Sequence, residues 1–172
     1  MSLFETILKR RSVRTYTVEE IPEEKLEKIL EAGLLAPTSR NRKPCEFYLV
    51  KDKEILEKLS KSKAAGSSML ENANAAIVVF ADSQKADTWI EDSSIALAYM
   101  DLMANELDIG SCWCQSHLRF DADNNSSEDV VREIFSMDVK YRVVGILSLG
   151  IAKDKPEPHK LSEIDKSKIK YF

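Results

Sequence analysis

Apolar positions recur at helical spacing in several stretches of the chain and form short unbroken runs in others. Leu3, Phe4, Ile7 and Leu8 make one stripe behind Ser2, which stands three residues before Glu5 as in a capping box, so a short helix is predicted at the start. A second helix is predicted from Pro22, with Glu23 and Glu24 at its positive end and Leu26, Ile29, Leu30 and Leu34 inward; Pro37 stops it. Val13 to Ile21 is then an irregular connection. Phe47–Val50 reads as a strand, Glu54–Lys61 as a helix, and Ala64–Asn74 as an interrupted stretch with a short helix around Met69 and Leu70. Ala75–Ala81 is a continuous apolar run of strand length, suited to the middle of a covered sheet. The longest predicted helix, about Thr88 to Leu107, is apolar almost all round and is expected to be covered partly by a partner subunit, with Gly110 as its terminator. An extended segment follows at Ser111–Ser116. Next come a helix capped by Ser126 or Ser127 and a covered strand from Val143 to Leu149, ended by Gly150. These elements predict a mixed sheet covered on both faces.

The remaining segment holds Pro156, Pro158 and many lysines, with Leu161, Ile164, Ile169, Tyr171 and Phe172 as its spaced apolar residues. It cannot fold alone and is expected to pack on another surface. At 172 residues the chain is expected to form one domain, 1–172, with 151–172 as a C-terminal arm on a partner.

Composition narrows the classes. With 44% hydrophobic and 31% charged residues the chain is globular, and a net charge of −4 opposes a general nucleic-acid binder. No apolar run reaches the roughly 20 residues of a membrane helix, and Met1–Glu5 lacks the pattern of a signal peptide. Cys45, Cys112 and Cys114 are too few for a disulfide framework, and their odd number fits a reducing cytoplasm. Only His117 stands near Cys112 and Cys114 as a further soft ligand, so no metal site is expected. There is no glycine-rich phosphate loop of either common pattern.

Candidate chemistry lies first in Arg10-Arg11-Ser12-Val13-Arg14, three guanidinium groups and a hydroxyl within five residues. Arg matches phosphate oxygens with a planar fork, so the cluster suits an anion; it also suits a solvated basic turn at the end of a helix. A second polar stretch, Thr38-Ser39-Arg40-Asn41, makes a hydrogen-bonding edge or an ordinary helix-to-strand turn. His117 and His159 read as surface or packing residues.

Taken in order, Arg10–Tyr16, Ile21-Pro22, Ile29–Gly33, Ala36-Pro37-Thr38-Ser39-x-Asn41-x-x-Pro44, Asp92–Ala96, Gly110–Trp113 and Leu147–Gly150 resemble the FMN-dependent nitroreductase family. The resemblance implies an α+β fold: an α/β/α sandwich with a mixed, mainly antiparallel sheet, built as an intertwined homodimer with FMN at the subunit interface. It implies that Arg10 and Ser12 hold the phosphate and ribityl end, with Arg11 adding backbone or charge. Arg14 would reach the pyrimidine edge, where a cation favours the reduced ring. Thr38, Ser39 and Asn41 would come from the partner chain, Gln115 and Ser116 would face the flavin through their backbone, and Lys160 stands where relatives often place a phosphate-binding Arg. The chain departs from many relatives at Lys43-Pro44-Cys45, where Gln and an aromatic residue are usual. Lys61 and Lys63 are the candidates for a basic residue that some relatives place before the second strand.

The implied activity is transfer of electrons from NADH or NADPH through flavin to a flat, electron-poor acceptor such as a nitroaromatic or quinone. No protein nucleophile, metal or acid–base pair is required for it. The alternatives are a flavin store or sensor without fast turnover, and a polyanion-binding module, which the acidic charge and the lack of interleaved stacking aromatics oppose.

Overall fold

The computed structural model describes residues 2–172. Helix α1 (Leu3–Lys9) begins with the reciprocal capping box: the Glu5 amide donates to Ser2 Oγ at 3.3 Å and the Ser2 amide to Glu5 Oε2 at 2.7 Å. Helix α2 (Glu23–Leu34) follows, then a 3-10 turn (Ser39–Asn41) and strand β1 (Cys45–Val50). Helix α3 (Lys53–Ser60) is capped by Asp52, whose carboxylate accepts the Glu54 and Ile55 amides at 2.9 and 3.0 Å. Strand β2 (Ala75–Asp82), helix α4 (Trp89–Glu106), strand β3 (Gly110–Gln115), helix α5 (Ser127–Ile134) and strand β4 (Tyr141–Gly150) complete the fold.

The sheet has the order β1-β2-β4-β3 and all its strand pairings are antiparallel. The parallel contribution is an isolated bridge, Ser12 with Ser111, so the connection after α1 is drawn onto the outer edge of β3. Side chains alternate across the sheet and build two cores. Ile77, Val79, Val144 and Leu147 pack with Leu26, Ile29, Leu97 and Met100 of α2 and α4. Val78, Phe80, Cys112, Cys114, Val143 and Ile146 pack on the other face with Leu56, Leu59, Leu70 and Val131. The result is the expected α/β/α sandwich.

Several expectations are corrected. Gly110 does not end α4; the left-handed residue there is Asp108 (φ 57°), and Gly110 opens β3. A Cβ on Gly110 would lie 2.9 Å from Val13 Cγ1, so this glycine serves the close approach of the 10–14 segment. Ser126 stands at the N-cap of α5 without a side-chain cap bond. The stripe of α1 is not inward in this chain: Leu3, Phe4 and Ile7 are exposed and Thr6 is the buried residue. Together with Ala32, Tyr99, Leu102, Met103 and Glu106, Leu3 and Thr6 line an open groove of about 450 Å³.

Candidate functional site

Helix α4 anchors two polar groups, one at each end. At its C-terminal end Asp101 is largely buried. Its Oδ1 accepts the Ser111 hydroxyl at 2.5 Å, and its Oδ2 lies 3.6 Å from Arg10 Nη1. Asn105 donates to the same Ser111 hydroxyl oxygen at 3.0 Å. Burial pushes the Asp101 carboxyl up, opposed by the Ser111 hydrogen bond and by Arg10. Arg10 itself caps the end of α1, its amide donating to Thr6 O at 2.9 Å. The next turn of chain is fixed by the Val13 amide, which donates to Ser111 O at 2.9 Å. Tyr16 locks it below, donating to Val13 O at 2.8 Å with its hydroxyl 2.7 Å from Ser148 Oγ.

Ser12 therefore lies beside the edge strand β3, with Cys112 and Cys114 on the same side. Burial raises both thiols, Cys114 to about 12, while the charges of Arg14 and Lys63 pull the other way, as does the nearby Ser12 hydroxyl on Cys112. Arg14 is exposed above this strand. Of the two lysine candidates, Lys63 is the one brought here; Lys61 pairs with Glu57 at 2.6 Å on the far surface of α3. Farther along, the Ser116 amide is used within the sheet, donating to Val144 O at 2.9 Å. Alternation in an antiparallel pair then turns Gln115 outward, on the side where Ser111 O accepts Val13. The Gln115 side chain is held by Trp113 Nε1 at 3.0 Å.

The second group sits at the N-terminal end of α4. The Ser39 amide donates to Asp92 Oδ1 at 2.9 Å, and Thr88 donates to Asp92 Oδ2 at 3.2 Å. Thr38 Oγ1 accepts the Lys43 amide at 3.1 Å, and Asn41 is left-handed with φ 53°. Asp92 and Asp101 are nine residues apart on one helix. At about 1.5 Å per residue the two groups are separated by about 14 Å along its axis. One chain thus does not bring Thr38, Ser39 and Asn41 to Arg10 and Ser12.

Arg11 points away from Ser12, donating through Nη1 to Glu157 O. That contact straps the C-terminal segment over the end of α1, as do Lys153 N to Thr15 O at 3.0 Å and His159 N to Leu8 O at 2.8 Å. Lys160 follows directly and is exposed, so the strap delivers it beside the Arg10 end of α1.

Sequence reasoning gave Asp92 no role although it opens the Asp92–Ala96 stretch, and it missed Asp101 and a further buried network. Glu128 accepts two hydrogen bonds from Arg142 at 2.9 Å each, one from the Val143 amide at 3.1 Å, and meets His117 Nδ1 at 2.6 Å. His117 packs edge-on to Trp89 at 5.2 Å and Arg142 stacks over the same ring at 4.7 Å. The available signal was polar side chains on otherwise apolar faces. Among the described residues no group of three or more His, Cys, Asp or Glu gathers to hold a metal ion.

This fold and this pairing of a basic segment with an edge strand define a family. The sequence profile of the Nitroreductase family matches residues 7–68 and 60–151, and the chain belongs to that family. A protein of Archaeoglobus fulgidus, to which NADH dehydrogenase/NAD(P)H nitroreductase activity is ascribed, is 37% identical over 155 residues, covering 88% of this chain and 86% of its own. An FMN-dependent nitroreductase from Clostridium difficile R20291 superposes with a TM-score of 0.95 at 41% identity, over 98% of both chains. A nitroreductase-like protein of Desulfovibrio desulfuricans, solved in complex with FMN, shares the fold at a TM-score of 0.76 and 22% identity, covering 95% of this chain and 94% of its own.

Proposed function

We propose that this protein is an FMN-dependent oxidoreductase that takes electrons from NADH or NADPH and passes them to nitroaromatic or quinone-like acceptors, working as a homodimer whose two sites each draw on both chains. Membership of the Nitroreductase family and the nature of the relatives support the electron-transfer class. The donor set fits the group. Arg10, Ser12 and Lys160 supply cations and a hydroxyl for a phosphate and ribityl chain. Arg14 and Lys63 supply charge beside β3 for the polar edge of the ring, and the outward amide of Gln115 offers a neutral donor at its other side. Bound FMN would supply the hydride chemistry, and the chain would bind it, orient it and keep a fixed positive charge at its pyrimidine edge.

The observation that carries the dimeric reading is the separation of the Asp92 and Asp101 groups on one helix. A second chain can place its Thr38, Ser39 and Asn41 against the first chain's Arg10 and Ser12. Exposed Leu3, Phe4, Ile7, Leu34, Leu35 and Tyr99 give such a chain an apolar surface to cover. The C-terminal arm would lie on the same partner. Among the described residues no helix is long and apolar enough to cross a membrane, and three free thiols suit a reducing cytoplasm.

The test is the absorbance spectrum of the purified protein together with its anaerobic reduction. Bound FMN that bleaches on addition of NADH or NADPH, and recovers on addition of a nitroaromatic, is the expected result. Flavin that binds but does not bleach would point instead to a store or sensor.

A further inference from the structure

We propose that the loop Arg40–Lys43 is an anion-recognition edge of the site, selecting a small molecule that carries a carboxylate, sulfonate or phosphate group. The inference deepens the flavin-dependent reading and rests on it.

Three residues of this four-residue loop are left-handed: Arg40 at φ 52°, Asn41 at φ 53° and Lys43 at φ 47°. Asn tolerates that region, whereas Arg and Lys adopt it at a cost in free energy. The conformation is nevertheless held from all sides. The Asn41 amide donates to Thr38 O at 3.0 Å and the Arg42 amide to Ser39 O at 3.1 Å. Lys43 N donates to Thr38 Oγ1 at 3.1 Å, Lys85 Nζ donates to Lys43 O at 2.9 Å, and Ser39 is tied to Asp92. Strain kept in place by so many bonds aims side chains that relaxed backbone would not.

What it aims is charge. Arg40, Arg42 and Lys43 lie in one turn that Lys85 contacts; Arg42 pairs with Asp87 at 3.3 Å, while the nearby Asp82 pairs with Lys140 and the buried Asp92 is taken up by Ser39 and Thr88. Among the described residues Arg40 and Lys43 enter no ion pair, and both are exposed. Such a patch is conspicuous in a chain of net charge −4, and an uncompensated patch at a site steers ligands of opposite sign. It is continuous with Thr38, Ser39 and Asn41, so an anion bound by it would lie at the rim of the proposed flavin site.

The anionic group has two sources: a substituent on the acceptor, or the 2′-phosphate that distinguishes NADPH from NADH. The holoenzyme is assayed with 4-nitrobenzoate against 4-nitrobenzamide, using NADH, and with NADPH against NADH, using 4-nitrobenzamide. Wild type is compared with the Arg40→Gln/Lys43→Gln double variant at low and high salt. In one of the two arms wild type is expected to favour the anionic member by roughly tenfold in kcat/KM at low salt, a preference that shrinks at high salt. The variant should lose it while keeping its rate with NADH and 4-nitrobenzamide. Preference in the first arm assigns the acceptor; in the second, the donor. No salt-sensitive preference in either arm, or one that the variant retains, overturns the proposal. If the double variant does not fold, the single variants Arg40→Gln and Lys43→Gln take its place, and a preference that both retain in full overturns the proposal. Absence of turnover with the neutral pair in wild type would remove the flavin reading itself, and this inference with it.

Discussion

The amide of Ser39 donates to Asp92 at 2.9 Å across 53 positions of sequence, and Asp92 is 2% exposed. A carboxylate in the first turn of α4 meets the positive end of the helix dipole, so its burial there is offset by the helix as well as by Ser39 and Thr88. Asp92 is thus the buried tie between α4 and the loop that carries Thr38 and Asn41, beside the loop's own bonds and Lys85.

Replacing Asp92 by Ala should therefore free the loop before it unfolds the protein. Loss of a hydrogen bond to a charged acceptor is worth about 1.5–3 kcal/mol. Hydrogen exchange at the Ser39 and Lys43 amides should accelerate strongly while amides of β2 stay protected. Equal acceleration in β2 would mean that Asp92 holds the whole fold rather than the loop.

Arg10→Ala should weaken FMN by about 1.5–3 kcal/mol, roughly ten- to a hundredfold or slightly more, if its guanidinium meets the phosphate. Riboflavin, which lacks that phosphate, provides the control. Its affinity should change little, and fluorescence titration with both flavins reads the difference. Equal loss for the two would show that Arg10 acts through Asp101 and Ser111 as a structural tie only.

Arg14 is exposed beside β3, where its charge also reaches the Cys112 and Cys114 thiols. A cation at the pyrimidine edge favours the reduced ring, so Arg14→Gln should lower the midpoint potential of bound flavin and slow its reduction. Arg14→Lys keeps the charge and loses the planar fork, and should shift the potential less. Redox titration at saturating FMN makes the comparison. An unchanged potential in Arg14→Gln returns Arg14 to the solvated surface.

How much of this was legible follows from the range of each signal. The α1 capping box spans three residues, and the Ala75–Ala81 run is buried on both faces, so local pattern found both. Gly110 was misread because its purpose, room for Val13, depends on contact across nearly a hundred positions. Arg10, Arg11 and Arg14 read as one cluster, yet extended backbone sends neighbouring side chains to opposite sides. Arg11 is spent on Glu157 O, a contact that adjacency in sequence hides. The roles of Asp92, Asp101 and Glu128 escaped because a carboxylate on an apolar helix face has no meaning until its partners, from other elements, are known.

The arm beyond His159 should matter to assembly more than to folding. Leu161, Ile164, Ile169, Tyr171 and Phe172 are all exposed in the single chain, and Phe172 makes no use of the body at all. Deleting 160–172 should leave circular dichroism near that of the full chain while raising the dissociation constant of the proposed dimer by about tenfold or more, as burial of even one apolar side chain is worth about 1.5–3 kcal/mol. Sedimentation at a series of concentrations measures it. An unchanged dimer would place the arm in solvent.

Glu128 provides the pH dependence. It is buried, which alone would raise its carboxyl, but hydrogen bonds from Arg142, His117 and the Val143 amide act more strongly, and the net result lies below the ordinary value of 4.5. The unfolded chain, with its carboxyl near that ordinary value, binds a proton before the folded one does as pH falls. Stability from this group is therefore complete above about pH 4.5 and is lost as pH drops through the lower, folded value. Glu128→Gln removes the charge but keeps the shape, leaving the Arg142 guanidinium half-buried without its partner; breaking such a pair costs about 3–5 kcal/mol, less here because Arg142 is partly exposed. At neutral pH the variant should melt several degrees below wild type at the same protein concentration. As pH falls from about 4.5 through the lower, folded value the two melting curves should converge, since wild type then loses the same charge. Curves that stay parallel down to acid unfolding would mean that the carboxylate contributes by packing alone. Because Glu128 also holds His117, two residues from Gln115, the variant's flavin spectrum at neutral pH should shift along with its stability.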